Sequence, residues 1–276
     1  MKRMLLILLA ALTLMACGGQ TGSGAGSAMP SQPATGGTPD RGSGSPAAAL
    51  HGKLTVFAAA SLRKTFTELG DRLMADNPDL KVEFAFAGSS DLVTQLTEGA
   101  PADVFASADE RNMTKASEAG LLAGEATPFA TNHLTIITAP GNPLGISSLA
   151  DLAKPEVQVV ICAAQVPCGG ATEKVAGLAG VTLNPVSEEN SVSSVLTKVT
   201  EGQADAGLVY RTDARAAGST VAAVDFPEAD RVTNSYPIAR LKDAQNAAAA
   251  RAFIDLVLSD QGQQVLADAG FAPVNA

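Results

Sequence analysis

The 276-residue sequence has no tryptophan, only two histidines and three cysteines, and 4% aromatic residues. The two histidines, His51 and His133, are far apart in the chain and cannot build a multi-histidine metal site. No run of Lys or Arg is present and the formal net charge is −9, which is unsuited to a nucleic-acid partner. The G-x-S-x-G, P-loop and H-E-x-x-H motifs are also absent. The sequence therefore predicts no catalytic residues and no cofactor.

The residues that are present predict a folded chain. Hydrophobic residues make up 46% of the sequence and charged residues 17%, proportions that do not describe a disordered protein. The length is sufficient for one large domain or two smaller ones, each with its own core.

The N-terminus has the pattern of an export signal. Lys2 and Arg3 precede an apolar stretch at 4–16 that is too short to span a bilayer permanently. The segment ends in Leu14-Met15-Ala16-Cys17-Gly18, which resembles the lipobox of bacterial lipoproteins. Residues 1–17 are therefore predicted to be a lipoprotein signal peptide with Cys17 as the acylated residue. The alternative is a plain secretory peptide cleaved near Ala16.

A segment of low complexity follows the signal. Of the 33 residues from Gly18 to Leu50, 27 are Gly, Ser, Pro, Ala or Thr. Such a composition cannot bury enough apolar surface to offset the entropy of ordering the chain. Residues 18–52 are predicted to be a flexible linker.

The remaining two cysteines form a close pair. With Cys17 acylated, Cys162 and Cys168 are left, six residues apart in an exported protein. An even pair outside the cell favours a disulfide. Two buried free thiols are the alternative, and a two-cysteine metal site is less favoured because no histidine or carboxylate cluster accompanies the pair.

From residue 53 onward, short β-branched or apolar runs alternate with helical patterns, which is typical of a parallel α/β fold. The pattern predicts strands at 54–59, 81–87, 103–107, 133–139, 157–162, 182–186, 206–210, 221–224 and 236–239. The clearest predicted helices are at 61–75, 90–98, 169–178, 192–201 and 244–258. One doubly wound sheet or two smaller sheets would both account for this order.

Small residues and hydroxyls occupy several points where a predicted strand leads into a helix. Ser61 follows 57–60, Ser89 and Ser90 follow 86–88, and comparable junctions lie at 162–170 and 188–192. In open α/β sheets ligands bind beyond the carboxyl ends of strands, where helix starts present free N–H groups and a positive dipole end. Each junction alone is an ordinary helix cap, with Ser61 in the N-cap position. Together they favour the binding of a compact anion.

Four stretches carry a resemblance to a known family. They are Thr55 to Leu62 (TVFAAASL), Phe86 to Leu92 (FAGSSDL), Gly99 to Asp109 (GAPADVFASAD) and Gly207 to Ala214 (GLVYRTDA). In order and spacing they resemble the periplasmic molybdate-binding proteins of ABC importers, and the resemblance covers essentially residues 53–276. It implies an α/β fold of the two-lobed type II periplasmic-binding-protein class, with a ligand cleft between the lobes.

The resemblance also implies a ligand set and a domain division. Molybdate or tungstate would be held as an oxyanion by the hydroxyls and amides of Ser61 and Ser89, the backbone amides of Cys168 and Val192, and the phenol of Tyr210. One lobe would hold 53–127 plus 238–276 and the other 128–237, with crossings near 129–131 and 235–237. The implied protein is a monomer that works with ABC transporter membrane subunits. It would be anchored to the membrane by its lipid, at the outer face of the cytoplasmic membrane or in the periplasm.

Three alternatives to this reading remain. The same fold could serve another tetrahedral oxyanion such as sulfate or phosphate. A ferric-ion-binding relative would need paired tyrosines with His or carboxylate ligands, whereas only Tyr210 and Tyr236 exist. A secreted hydrolase could use Ser61 as nucleophile, but the sequence offers no general base for it.

Overall fold

A computed structural model describes residues 49–274. The predicted signal peptide (1–17), its acylated Cys17 and the greater part of the predicted linker (18–52) lie outside the described residues. Within 49–274, no helix is both long enough and apolar enough to cross a membrane.

The described chain contains ten strands in two five-stranded sheets. They are β1 (Gly52–Ala59), β2 (Leu80–Ala87), β3 (Val104–Ala106), β4 (Thr127–Asn132), β5 (Leu134–Thr138), β6 (Val159–Cys162), β7 (Ser187–Glu189), β8 (Ala206–Tyr210), β9 (Ala222–Val224) and β10 (Asn234–Arg240). The first sheet has the order β2-β1-β3-β10-β4 and the second β7-β6-β8-β5-β9. The alternation of elements thus folds into two mixed sheets and not into one doubly wound sheet.

Eight α-helices cover these sheets in the part of the chain that is described. They are α1 (Arg63–Asp76), α2 (Ser89–Thr97), α3 (Glu110–Glu118), α4 (Pro167–Ala179), α5 (Val192–Thr200), α6 (Arg211–Ala217), α7 (Ala247–Leu258) and α8 (Asp260–Ala269). Short 3-10 helices lie at Ala60–Leu62, Leu149–Ala153, Gly218–Thr220 and Pro227–Arg231.

The ends of the helices follow local sequence rules. Pro167 starts α4, where its missing N–H costs no hydrogen bond, and Gly180 ends it with a left-handed backbone at φ 64°. The Ser259 side chain accepts a hydrogen bond from the Gly262 amide and thereby caps α8.

Parallel pairing in each sheet brings strand ends and helix starts together. In the first sheet β1 runs parallel to β2 and β3, and in the second β6 runs parallel to β7 and β8. Both faces of β1 are buried: Leu54 and Val56 pack in the larger core, and Phe57 packs in a second cluster with Leu92 and Phe105. Burial on both faces explains the nearly continuous apolar run in β1.

The chain passes between the two sheets twice. The first passage is at His133, between β4 and β5, and the second is between β9 and β10. The predicted crossing segments 129–131 and 235–237 instead lie inside β4 and β10, which pair antiparallel with each other in the first sheet. We call the part built on the first sheet lobe 1 and the part built on the second sheet lobe 2.

The predicted strand at 182–186 is wrong. The strand of this region is Ser187–Glu189, an edge strand that pairs only with β6. Pro185 cannot donate to a ladder, and a short polar edge strand gives no hydrophobic pattern that would identify it.

Candidate ligand-binding site

The five residues that the family resemblance implies as ligands come together around one small cavity. Ser61 and Ser89 reach it from lobe 1, and Cys168, Val192 and Tyr210 reach it from lobe 2. The cavity measures about 10 Å³, close to the smallest size that holds a water molecule. The two lobes therefore lie close together around this point.

Each of the five lies beyond, or at, the carboxyl end of a strand. Ser61 follows β1 in the 3-10 turn, Ser89 begins α2 after β2, and Cys168 is the second residue of α4 after β6. Val192 begins α5 after β7, and Tyr210 is the last residue of β8. The site therefore has the position expected for ligands of parallel α/β sheets, with the difference that two sheets contribute to it.

Helix starts supply backbone donors to the cavity. The first N–H groups of a helix have no partner within it, and the starts of α2, α4 and α5 all line the cavity. At α5 the Ser191 side chain accepts a hydrogen bond from the Ser194 amide, which orients the helix start without using the Val192 amide. Three dipole ends directed at one small space favour an anion.

Tyr210 is positioned as a hydrogen-bond donor. Its hydroxyl accepts a hydrogen bond from Asn234 Nδ2 at 3.0 Å. Burial first of all, and then the neighbouring Tyr236 and Asp109, raise the pKa of the Tyr210 phenol well above its ordinary value. The phenol is therefore neutral and keeps a proton that it can donate.

The two serine hydroxyls are held in a similar way. Ser89 Oγ accepts a hydrogen bond from the Ala108 amide at 3.0 Å. Ser61 Oγ lies 3.0 Å from the Tyr236 hydroxyl, which in turn accepts from Asn132 Nδ2 at 3.5 Å. When Tyr236 donates its proton to Ser61, the Ser61 proton is available to the cavity. The expectation that Ser61 is an N-cap is wrong: Ala59 precedes the 3-10 turn, Leu62 precedes α1, and neither turn nor helix has a side-chain cap.

Among the described residues, no charged side chain lines the cavity. The carboxyl of Asp213 lies behind Tyr210 and accepts a hydrogen bond from the Tyr210 amide at 3.2 Å. Burial raises the pKa of Asp213 to about 7, an effect only partly opposed by that hydrogen bond. The site is thus an uncharged set of donors with one easily neutralised acid behind it.

Cys162 and Cys168 form the disulfide that the cysteine count favoured, with a Cα–Cα distance of 5.7 Å. The bridge closes the loop between β6 and α4 and includes a cavity residue, Cys168. The alternative of two buried free thiols is wrong.

Sequence reasoning missed the asparagines that organise the site. Asn234 donates both to the Tyr210 hydroxyl and to the Ala108 carbonyl, each at 3.0 Å, and so joins groups of the two lobes. Asn132 donates to Thr212 Oγ1 at 2.8 Å as well as to Tyr236. Both asparagines lie where the chain passes between the sheets, and nothing in their local sequence marks this role. For Tyr236 a signal existed, since it is one of only two tyrosines in the chain.

The geometry argues against two of the alternative chemistries. Ser61 is bonded to a phenol and not to a base, and His133 Nδ1 bonds to the Ala229 carbonyl, so a hydrolase nucleophile is not assembled. Burial raises the pKa of both tyrosines, whereas a ferric site needs phenolates. In the described part of the chain no cluster of three His, Cys, Asp or Glu could hold a metal ion.

Residues 54–272 match the family model of the bacterial extracellular solute-binding proteins, and the chain belongs to that family. It is therefore a solute-binding protein of the extracytoplasmic space and not an enzyme. A molybdate-binding protein of Mycobacterium tuberculosis is 52% identical over 237 residues, which cover 84% of this chain and 91% of the relative. A molybdate-binding protein of Haemophilus influenzae is 31% identical over 235 residues, covering 81% and 91%.

Solved structures confirm the predicted fold class. The periplasmic molybdate-binding protein of Azotobacter vinelandii superposes with a TM-score of 0.67 at 22% identity, covering 79% of this chain and 98% of that one. The sulfate-binding protein SubI of Mycobacterium tuberculosis also gives a TM-score of 0.67 at 22% identity, with 82% and 88% covered. At these identities the likeness is one of fold.

Proposed function

We propose that this chain captures molybdate, and tungstate with it, outside the cytoplasm and delivers the anion to the membrane subunits of an ABC importer. One observation carries the proposal: hydroxyls of Ser61, Ser89 and Tyr210 and the starts of three helices surround a single small cavity without a charged side chain. The anion would be held by the two serines with their amides, the amides of Cys168 and Val192, and the Tyr210 phenol. No cofactor is needed, because binding requires only these donors.

The chemistry of the donors fits a dianion that must later be released. Preorganised N–H and O–H dipoles in a water-excluded cleft stabilise negative charge without a compensating cation. A buried ion pair would be harder to part, since removing one partner leaves an uncompensated charge. Many hydrogen bonds divided between two lobes are lost together when the lobes separate.

The choice of molybdate over sulfate rests on the relatives and on size. The relative at 52% identity is named a molybdate-binding protein, whereas the sulfate-binding SubI shares the fold at 22%. Tetrahedral dianions cannot be distinguished by charge, so the distance between donors of the two lobes must select among them. A smaller ion would leave buried N–H groups unsatisfied, at about 1 to 3 kcal/mol for each group.

Calorimetric titration and thermal unfolding of the unacylated mature chain with molybdate, tungstate, sulfate and phosphate test this function. At a hundred times the dissociation constant a ligand stabilises the folded state by about 2.7 kcal/mol. For a domain of this size that corresponds to a rise in Tm of roughly 5 to 10 °C. We expect this rise with molybdate and tungstate, and none with sulfate or phosphate at the same concentration. Stabilisation by sulfate alone would identify a sulfate receptor.

We further propose that the mature protein is a monomer tethered to the membrane by a lipid on Cys17. The lipobox-like string before Cys17 supports this anchor. In a Cys17→Ala variant the chain would remain uncleaved or would be released to the soluble fraction. Cell fractionation checks this, and a cleaved Cys17→Ala chain that still sediments with membranes would disprove the anchor.

A further inference from the structure

The start of α3 in lobe 1 reaches across the cleft to a loop of lobe 2. Arg111 Nη2 donates to the Ala164 carbonyl at 2.9 Å, and Asn112 Nδ2 lies 3.5 Å from the Gln165 carbonyl. The helix follows β3 of the first sheet, and the loop follows β6 of the second. These hydrogen bonds therefore exist only while the lobes are together. We call the two side chains and the two carbonyls that they contact the interlobe clasp.

The loop that the clasp contacts is tied directly to the ligand cavity. The Cys162–Cys168 disulfide encloses Ala164 and Gln165, and Cys168 lines the cavity. The loop also packs tightly on the first turn of α4, because a Cβ added to Gly169 would lie 1.9 Å from the Ala163 carbonyl oxygen. A displacement of the Ala164 carbonyl therefore also displaces the backbone at Cys168.

Lobe 1 holds the clasp side chains in place. Asp109 Oδ1 accepts hydrogen bonds from the amide and the side chain of Asn112, both at 2.9 Å, and Asp109 Oδ2 lies 3.6 Å from Arg111 Nε. On the other side, Gly170 leaves room for the guanidinium: a Cβ there would lie 3.1 Å from Arg111 Nη2. The residue before Asp109 is Ala108, whose amide fixes the Ser89 hydroxyl.

We propose that Arg111 is a positioning residue for anion binding, acting through the disulfide-closed loop to hold the cleft shut and the Cys168 amide against the ligand. This inference rests on the proposed function for the identity of the anion, but not for the clasp itself. Arg111 touches no part of the cavity, so its effect falls on how long the closed state lasts. Breaking the clasp speeds release of the anion.

The test compares Arg111→Ala and Arg111→Lys with the parent protein, using radiolabelled molybdate chased with unlabelled molybdate. The Arg111 side chain is 47% exposed, which reduces the contribution of its hydrogen bond below that of a buried charged donor. We expect Arg111→Ala to dissociate about threefold to tenfold faster and Arg111→Lys to recover part of the difference. The Tm of the ligand-free protein should not change, whereas a merely structural role would lower it.

Lys174→Ala is the matched control, because Lys174 lines the same groove as Arg111 and makes no cross-lobe contact among the described hydrogen bonds and ion pairs. It should release molybdate at the parent rate. Reduction of the Cys162–Cys168 disulfide provides a second measurement, because without the bridge the position of the Ala164 carbonyl is coupled less tightly to the backbone at Cys168. In the reduced protein the ratio of dissociation rates between Arg111→Ala and parent should fall toward one. The inference is overturned if Arg111→Ala releases molybdate at the parent rate. It is also overturned if the ratio of the two dissociation rates is the same before and after reduction of the disulfide.

Titration of the parent with molybdate, tungstate, sulfate and phosphate separates this test from that of the function. If the parent binds sulfate or phosphate instead of molybdate, the proposed function fails and the chase is run with that anion. If it binds none of the four, small-angle scattering of the ligand-free proteins decides the matter. The clasp predicts a larger radius of gyration for Arg111→Ala than for the parent, and equal radii would overturn it.

Discussion

Replacing Gly88 by alanine should block closure of the cleft without disturbing either lobe. Gly88 precedes α2 with φ −61° and ψ 140°, a backbone that alanine adopts freely. A Cβ at this position would lie only 2.0 Å from the Asn190 carbonyl oxygen, where real Cβ contacts are 3.0 Å or longer. Asn190 belongs to lobe 2, two residues before the start of α5, and Gly88 belongs to lobe 1. The two backbones must therefore separate by at least 3.0 − 2.0 = 1.0 Å at this point.

That separation is large on the scale of a hydrogen bond. An N–H···O bond of about 2.9 Å stretched by 1 Å or more is no longer a hydrogen bond. An anion held by lobe 1 would then lose donors of lobe 2, or the reverse. Losing two bonds to a charged acceptor, at about 1.5 to 3 kcal/mol each, weakens binding roughly a hundredfold to more than ten-thousandfold.

Titration calorimetry with molybdate measures this loss, and thermal unfolding of the ligand-free protein checks the fold. The ligand-free Tm of Gly88→Ala should match the parent, because the lobes of the variant can move apart and relieve the clash without either lobe unfolding. Gly124→Ala is the matched control, since nothing lies within 4 Å of a Cβ built there. Binding by Gly88→Ala as tight as that of the parent would refute the argument. A ligand-free Tm several degrees lower would mean that the contact belongs to the fold and not to closure.

Three further predictions concern the hydroxyls, the buried acid and the disulfide. Ser61→Ala and Tyr210→Phe should each weaken molybdate binding about tenfold to a hundredfold, as measured by calorimetry. The control Ser117→Ala, on the exposed side of α3, should bind as the parent does. Parent-like binding by Ser61→Ala or by Tyr210→Phe would contradict the assignment of that residue. Burial raises the pKa of Asp213 to about 7. Between its ordinary pKa of 3.8 and about 7, the folded state therefore keeps a proton that the unfolded state has lost. The contribution of this carboxyl to the free energy of unfolding falls as the pH rises through that range. Urea unfolding from pH 4 to 8 should show this decline in the parent relative to Asp213→Asn, and a pH-independent difference would contradict it. Thiol labelling of the denatured, unreduced mature chain should modify neither Cys162 nor Cys168, and two labelled cysteines would disprove the bridge.

The sequence was most informative where function depends on a local backbone. Strand-to-helix junctions such as those at Ser61 and Ser89 follow from patterns of small residues and hydroxyls, and the resemblance placed both at the site. The cysteine pair was likewise predictable from its spacing. Each of these features is set by a few neighbouring residues.

The parts that could not be predicted depend on contacts between distant segments. Asn234 is hydrogen-bonded to both Ala108 and Tyr210, and 126 positions in the sequence separate it from Ala108. Gly88 is required only because Asn190, from the other lobe, approaches it. The crossings were expected at 129–131 and 235–237 for the same reason, since β4 is held in the first sheet by its pairing with β10 and only part of β10 (236–239) was predicted as a strand. Tertiary pairing of this kind has no signature in a single sequence.

In the proposed function, the division of donors between the lobes would let an acidic protein hold an anion and still release it. The chain carries a net charge of −9, and no lysine or arginine lines the cavity. Attraction therefore depends on oriented dipoles at short range, and Ser61 and Ser89 can act together with Cys168, Val192 and Tyr210 only when the lobes meet. The interlobe clasp lies outside the cavity, and its bond from Arg111 to the Ala164 carbonyl is exposed beside the groove that Arg111 lines. An importer that separates the lobes would break this clasp, after which neither half of the site retains enough donors to keep the ion.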